Sequence, residues 1–164
     1  MRKSTWEKIA SMTIGSHVAS RPKTFHDFDR FPQPLVARKL QILLVEDDKP
    51  DAYLIGRALQ SNPRVGEVVI AENGFRALEL MDIGWAVPDL AIVDLHMPRK
   101  DGFELLRDFA AREGRRFPSV ILTSSSARVD SLEAMICGAV EFVTKPNSSS
   151  QLAAALDRVI YNAL

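Results

Sequence analysis

From Gln41 onwards, short uninterrupted apolar runs alternate with stretches in which apolar residues recur every three or four positions. Ile42-Leu43-Leu44-Val45, Val68-Val69-Ile70, Leu90-Ala91-Ile92-Val93, Val120-Ile121-Leu122 and the segment Val140 to Thr144 read as strands. Runs that are apolar throughout suit strands buried on both faces of a parallel sheet. Between them lie helical stripes: Tyr53, Leu54, Ala58 and Leu59; Ala77, Leu78 and Met81; Phe103, Leu106, Phe109 and Ala110. A further helix covers Arg128 to Cys137 and closes at Gly138, a fitting residue just past a helix end. The last carries Leu152, Leu156, Val159 and Ile160 inward, with Ser148 and Gln151 at capping-box spacing. Pro50 suits a first helical turn, and Asn73-Gly74 and Asp101-Gly102 supply turns before helices. Five strands alternating with five helices predict a doubly wound α/β domain with right-handed crossovers and helices on both faces.

The first 40 residues follow another pattern. Trp6, Ile9, Ala10, Ile14 and Val18 fall on one face of an amphipathic helix, whereas Pro22, Pro32 and Pro34 interrupt an aperiodic linker. Residues 1–38 are therefore expected to form an N-terminal extension, and residues 39–164 the domain. The helix has two open readings, a docking or homodimerisation element and a frayed extension.

Composition narrows the class. With 46% hydrophobic and 26% charged residues, the chain can build one core. No apolar run reaches the roughly 20 residues of a membrane span, so no membrane partner is expected. The single cysteine, Cys137, forbids an internal disulfide and suits a reducing cytoplasm. Zero net charge conceals an asymmetry: residues 1–40 hold eight Lys/Arg against three acids, so the remainder is acidic. An acidic body argues against nucleic acid as a partner.

Candidate chemistry gathers at the strand ends. The first strand ends in Glu46 and Asp47, the third in Asp94, the fourth in Thr123 and the fifth in Lys145. Parallel strands bring all their carboxyl ends to one edge, where open α/β sheets bind ligands. Clustered carboxylates need a cation, and hard oxygen donors suit Mg²⁺. A lysine and a hydroxyl opposite them serve a phosphoryl group. The set predicts phosphoryl transfer onto a carboxylate, with Asp94 as nucleophile and Glu46 and Asp47 at the metal. Each residue also has an ordinary reading as a cap, a helix N-terminal acid or a surface charge, and it is the joint placement that counts.

These residues stand in longer motifs: Leu44-Val45-Glu46-Asp47-Asp48, Asp94-Leu95-His96-Met97-Pro98 with Asp101-Gly102, Leu122-Thr123-Ser124, Gly138-Ala139 and Phe142-Val143-Thr144-Lys145-Pro146. Over about residues 39–162 the chain resembles the receiver domain of two-component response regulators. The resemblance implies a flavodoxin-like sheet in the order 2-1-3-4-5. It implies that Asp94 accepts a phosphoryl group from a histidine kinase or histidine phosphotransferase. Mg²⁺ is then held by Glu46, Asp47, Asp94 and the backbone carbonyl of His96, and Thr123 and Lys145 bind the phosphoryl group. Phe142 matches the switch aromatic that turns inward as Thr123 moves, with an ordinary core residue as the other reading. Lys145-Pro146 matches a cis-proline junction. The His96 imidazole departs from the residue types commonest at its position and reads either as a modifier of dephosphorylation or as a surface histidine.

The resulting expectation is a single-domain, cytoplasmic phosphoacceptor rather than an enzyme, signalling to a protein partner by a conformational switch. The segment Val45 to Ala52 is also similar to receivers partnered with phytochrome-type kinases. The alternative is a phosphorylation-independent adaptor acting through its N-terminal arm. A haloacid-dehalogenase-like phosphatase usually carries a second Asp two residues after its nucleophile, where this chain has His96. A DNA-binding regulator would need a second domain.

Overall fold

The computed structural model describes residues 38–164 apart from 113, 115 and 116. The amphipathic stripe expected over residues 6–18 and the linker after it lie outside the described residues. Strands β1 (Leu40–Val45), β2 (Val65–Ala71), β3 (Leu90–Val93), β4 (Ser119–Thr123) and β5 (Glu141–Thr144) alternate with helices. The helices are α1 (Lys49–Gln60), α2 (Gly74–Asp82), α3 (Gly102–Ala111), α4 (Arg128–Ile136) and α5 (Ser149–Ala163). The strands form one parallel sheet in the order β2-β1-β3-β4-β5, as expected. Every β-strand-to-strand return is made through a helix, as parallel pairing requires.

Two apolar layers flank the sheet, and the strands divide their side chains between them residue by residue. Ile42, Leu44, Leu90, Ile92, Val120, Leu122 and Val143 face α1 and α5, meeting Ile55, Leu59, Leu152, Leu156, Val159 and Ile160. Leu43, Val45, Ala91, Val93 and Ile121 join Ala77, Leu80, Leu105, Leu106, Phe109 and Ala134 of α2, α3 and α4. The period of two along each strand is what sends neighbours to opposite layers.

Local signals explain most element ends. Asp48 caps α1 by accepting the Asp51 N–H at 2.9 Å, and Asn73 caps α2 through the Arg76 N–H at 3.0 Å. Asp101 and Glu104 form a full capping box at α3. Ser148 accepts the Gln151 N–H at 3.3 Å, so the spacing noted in sequence does cap α5. At the end of α4, Gly138 adopts a left-handed φ of 98°. The Gly138 N–H then bonds Met135 and the Ala139 N–H bonds Ala134, a Schellman closure.

Two expectations need correcting. The buried face of α1 is Ala52, Ile55, Gly56 and Leu59, whereas Tyr53 and Leu54 are exposed. Both sets obey helical spacing. Packing against β2 and α5 selects the first, and the Arg57 guanidinium lies 5.7 Å above the Tyr53 ring at the surface. The second correction is at Lys145-Pro146: no peptide bond among the described residues is cis. The trans form is the one an X–Pro amide favours, by about 0.5–1 kcal/mol.

Candidate functional site at the carboxyl edge of the sheet

Glu46, Asp94 and Lys145 each stand one residue past the end of a strand, and the neighbouring strand holds each by its backbone. The Glu46 N–H bonds the Ala71 carbonyl at 3.0 Å, Asp94 bonds Val45 at 2.9 Å, and Lys145 bonds Thr123 at 2.7 Å. The ladder thus extends one step beyond the regular sheet and fixes the three side chains at one edge. Asp94 directly follows the central β3, and Glu46, Asp94 and Thr123 are all buried. Buried carboxylates persist only with partners.

The carboxylates converge. Glu46, Asp47 and Asp94 each offer an oxygen within 4.8 Å of the others, a donor set that fits a hard divalent cation. Lys145 faces them, its Nζ 2.7 Å from Glu46 Oε2, 2.8 Å from Asp51 Oδ2 and 3.6 Å from Asp94 Oδ1. The other Asp94 oxygen accepts the His96 N–H at 3.2 Å. Burial pushes the Glu46 carboxyl up to about 7, against the pull of the Lys145 ammonium, with the Asp94 charge adding to the rise. Lys145 loses hydration on burial, but its bonds to Asp51 and Glu46 and the charge of Asp94 outweigh that and hold it above the ordinary lysine range. It therefore stays an ammonium at neutral pH. The arrangement can place a cation and a fixed ammonium around one buried carboxylate, that of Asp94.

Thr123 ends β4, with its Oγ1 accepting the Ser125 N–H at 3.3 Å. Phe142 on β5 is paired in register with Ile121 and packs half-buried against the apolar layer beneath α4. The His96 imidazole is exposed, with Nε2 3.6 Å from Asp130 Oδ2 of α4. Asp130 also accepts the Ser125 hydroxyl at 2.5 Å. Ala127, the residue before α4, cannot cap it with a side chain, and its N–H bonds Ser125 Oγ at 3.2 Å instead.

The loop carrying Asp94 is tightly packed. A Cβ on Gly102 would lie 2.6 Å from the Asp94 carbonyl oxygen and 2.9 Å from Leu95 Cα, so only glycine allows this approach. Arg99 takes a left-handed φ of 74°. The next residue, Lys100, pairs with Asp108 at 2.6 Å and lies 5.2 Å above the Phe75 ring.

Sequence reasoning brought together Glu46, Asp47, Asp94 and Lys145, and it missed Asp51 and Asp130. Asp51 had one signal: Pro50 opens α1, which puts Asp51 in the first turn beside the same sheet edge. Asp130 had none: His96 reaches it only through the tertiary fold, and Ser125, five residues before it, does not stand at a recognised capping spacing.

Fold and site together define a doubly wound domain that gathers three carboxylates and a lysine ammonium at the carboxyl edge of its sheet. Residues 42–157 match the response regulator receiver domain family, and the chain belongs to it. Among solved structures, it is similar to the phosphorylated cyanobacterial phytochrome response regulator RcpA, at 30% identity and a TM-score of 0.68. That match covers 74% of this chain and 91% of the other. The Mn²⁺-bound form of response regulator Rcp1 matches at 26% identity and a TM-score of 0.65, over 73% and 91% of the two chains. Protein-glutamate methylesterase/protein-glutamine glutaminase 2 of Dechloromonas aromatica is 31% identical over 113 residues, 68% of this chain and 30% of that protein. The chain spans half or less of the length of the curated relatives it matches. No helix among the described residues is long and apolar enough to cross a membrane.

Proposed function

We propose that the domain, residues 39–164 behind an N-terminal extension of residues 1–38, is a phosphoacceptor switch that acts on Asp94. A carboxylate oxygen of Asp94 attacks the phosphorus of a phosphohistidine on a histidine kinase or phosphotransferase. An O–P bond forms as the P–N bond breaks, and the leaving imidazole takes up a proton. Lys145 supplies positive charge beside the transferred oxygens, and Thr123 supplies a hydroxyl donor. Mg²⁺ held by Glu46, Asp47, Asp94 and the His96 carbonyl would offset the remaining negative charge. The observation that carries this reading is the convergence of three carboxylate oxygens within 4.8 Å, with the Lys145 ammonium 3.6 Å from Asp94.

Thr123 and Phe142 are the readout of the switch. Movement of the Thr123 hydroxyl toward a phosphoryl group vacates space in the layer against which the Phe142 ring packs, a local charge event coupled to packing. The output is contact with a protein partner. Similarity to the phytochrome response regulator RcpA supports a kinase of that type upstream. The cytoplasm, with its reducing chemistry, suits the free and buried Cys137.

Incubation with phosphoramidate tests the reading. One phosphoryl group should be incorporated in the presence of Mg²⁺ and none in excess chelator, and the product should be cleaved by hydroxylamine, as an acyl phosphate is. Incorporation indifferent to chelation, or stable to hydroxylamine, would place the chemistry elsewhere. No incorporation at all would favour an adaptor independent of phosphorylation.

A further inference from the structure

We propose that Asp51 is a positioning residue that competes with the phosphorylated acceptor for the Lys145 ammonium, and so weakens the phosphorylated state. The inference rests on the reading of Asp94 and Lys145 given above and adds a residue to it. An ammonium has three N–H donors. Glu46 and Asp51 take two of them at 2.7 and 2.8 Å, while Asp94 lies at 3.6 Å, beyond a hydrogen bond. Lys145 is thus drawn off the acceptor by two anions, and its charge is already matched before any phosphoryl group arrives.

The two anions are not equivalent. Glu46 belongs to the group of carboxylates that can share a cation, so cation binding gives it another partner. Asp51 is outside that group, and once Glu46 turns to the cation, Asp51 remains the rival for Lys145. Its position is set by α1: as the third residue of the helix it donates its N–H to the Asp48 cap, which fixes its backbone at the sheet edge. Asp51 and Lys145 both line a cavity of roughly 260 Å³ with Ser124, Asn147 and Ser148, so the released carboxylate has room to turn away. The Asp51 side chain is 40% exposed, against 2% for Glu46, so solvent screens the competition and limits its size.

Beryllofluoride with Mg²⁺, which mimics a phosphoryl group on a carboxylate, gives the test by isothermal titration calorimetry on the full chain. Asp51→Asn keeps shape and removes the charge, and should bind beryllofluoride about two- to fivefold more tightly than wild type. Asp51→Ser, another residue suited to a first helical turn, is the second variant and should do the same. Asp51→Glu should stay within twofold of wild type, roughly the resolution of the comparison. Asp108→Asn removes one negative charge from α3, where Asp108 pairs with Lys100, and should leave the affinity unchanged. Affinity equal to wild type or weaker in both Asp51→Asn and Asp51→Ser, with wild type binding normally, would overturn the inference alone. An equal gain in Asp108→Asn would also overturn it, by showing a general charge effect. Failure of wild type itself to bind beryllofluoride would overturn the reading of the site and this inference with it.

Discussion

At the scale of single residues, burial and charge at the sheet edge set how the site responds to pH. Burial lifts Glu46 from 4.5 to about 7, so the folded protein holds that proton more tightly than the unfolded chain does. Across that window the native state binds more protons, and through this group the stability of the metal-free protein falls as pH rises. Cation binding requires the ionised carboxylate and should strengthen over the same window. Mg²⁺ titration by calorimetry should show affinity roughly tenfold weaker at about pH 6 than at about pH 8, with proton release in the lower range. An affinity flat across that range would contradict the environment assigned to Glu46. Gly102 makes a second residue-scale prediction. Its missing Cβ leaves room for the Asp94 carbonyl, so Gly102→Ala should cost about 1–3 kcal/mol by overpacking. Urea unfolding measures that cost, and a change under about 0.5 kcal/mol, as at an indifferent surface site, would contradict it.

At the scale of elements, the end of α4 depends on one backbone conformation. Gly138 closes the helix at φ 98°, a region that costs an L-residue about 1–2 kcal/mol. Gly138→Ala should destabilise the domain by about that amount in thermal melts, whereas replacing Gly84, where a Cβ meets nothing, tests the backbone term alone. Much at this scale was legible in the sequence, because strands buried on both faces write uninterrupted apolar runs. All five strands, the five helices and their inward residues in α5 followed from pattern. The start of β2 did not, since Gly66 and Glu67 break the run although Val65 is buried in the sheet. The face of α1 was ambiguous because two overlapping stripes satisfy helical spacing, and only the neighbours decide between them. The carboxylates and Lys145 were legible because parallel strands must deliver their ends to one edge. The pairing of Asp51 with Lys145 across 94 residues was not, nor was the approach of His96 to Asp130, because contacts so distant in sequence leave no local signature.

At the scale of the whole described domain, the two apolar layers hold the edge on which the site is built. Phe109 is fully buried and meets Phe117 edge-on at 5.3 Å, anchoring the carboxyl end of α3, the helix that the loop after Asp94 leads into. Phe109→Ala should lower stability by about 3–5 kcal/mol, enough to remove much of the margin of a small domain. A loss below about 1 kcal/mol would mean that the layer collapses around the gap and that Phe109 does not anchor α3 as described. The same close-packed layers, which shift as units rather than deform locally, join β3 to β5 and α4 and are the frame through which the proposed switch at Asp94 would act.

Phosphoryl transfer onto Asp94, as proposed, is read out by intact-mass measurement with peptide mapping. Wild type and Asp94→Asn would each be exposed to a small phosphodonor with Mg²⁺. A single phosphoryl group mapped to the peptide carrying Asp94, and absent from the variant, is the predicted result. Equal incorporation in the two proteins, or a phosphoryl group mapped to any other peptide, would contradict the account.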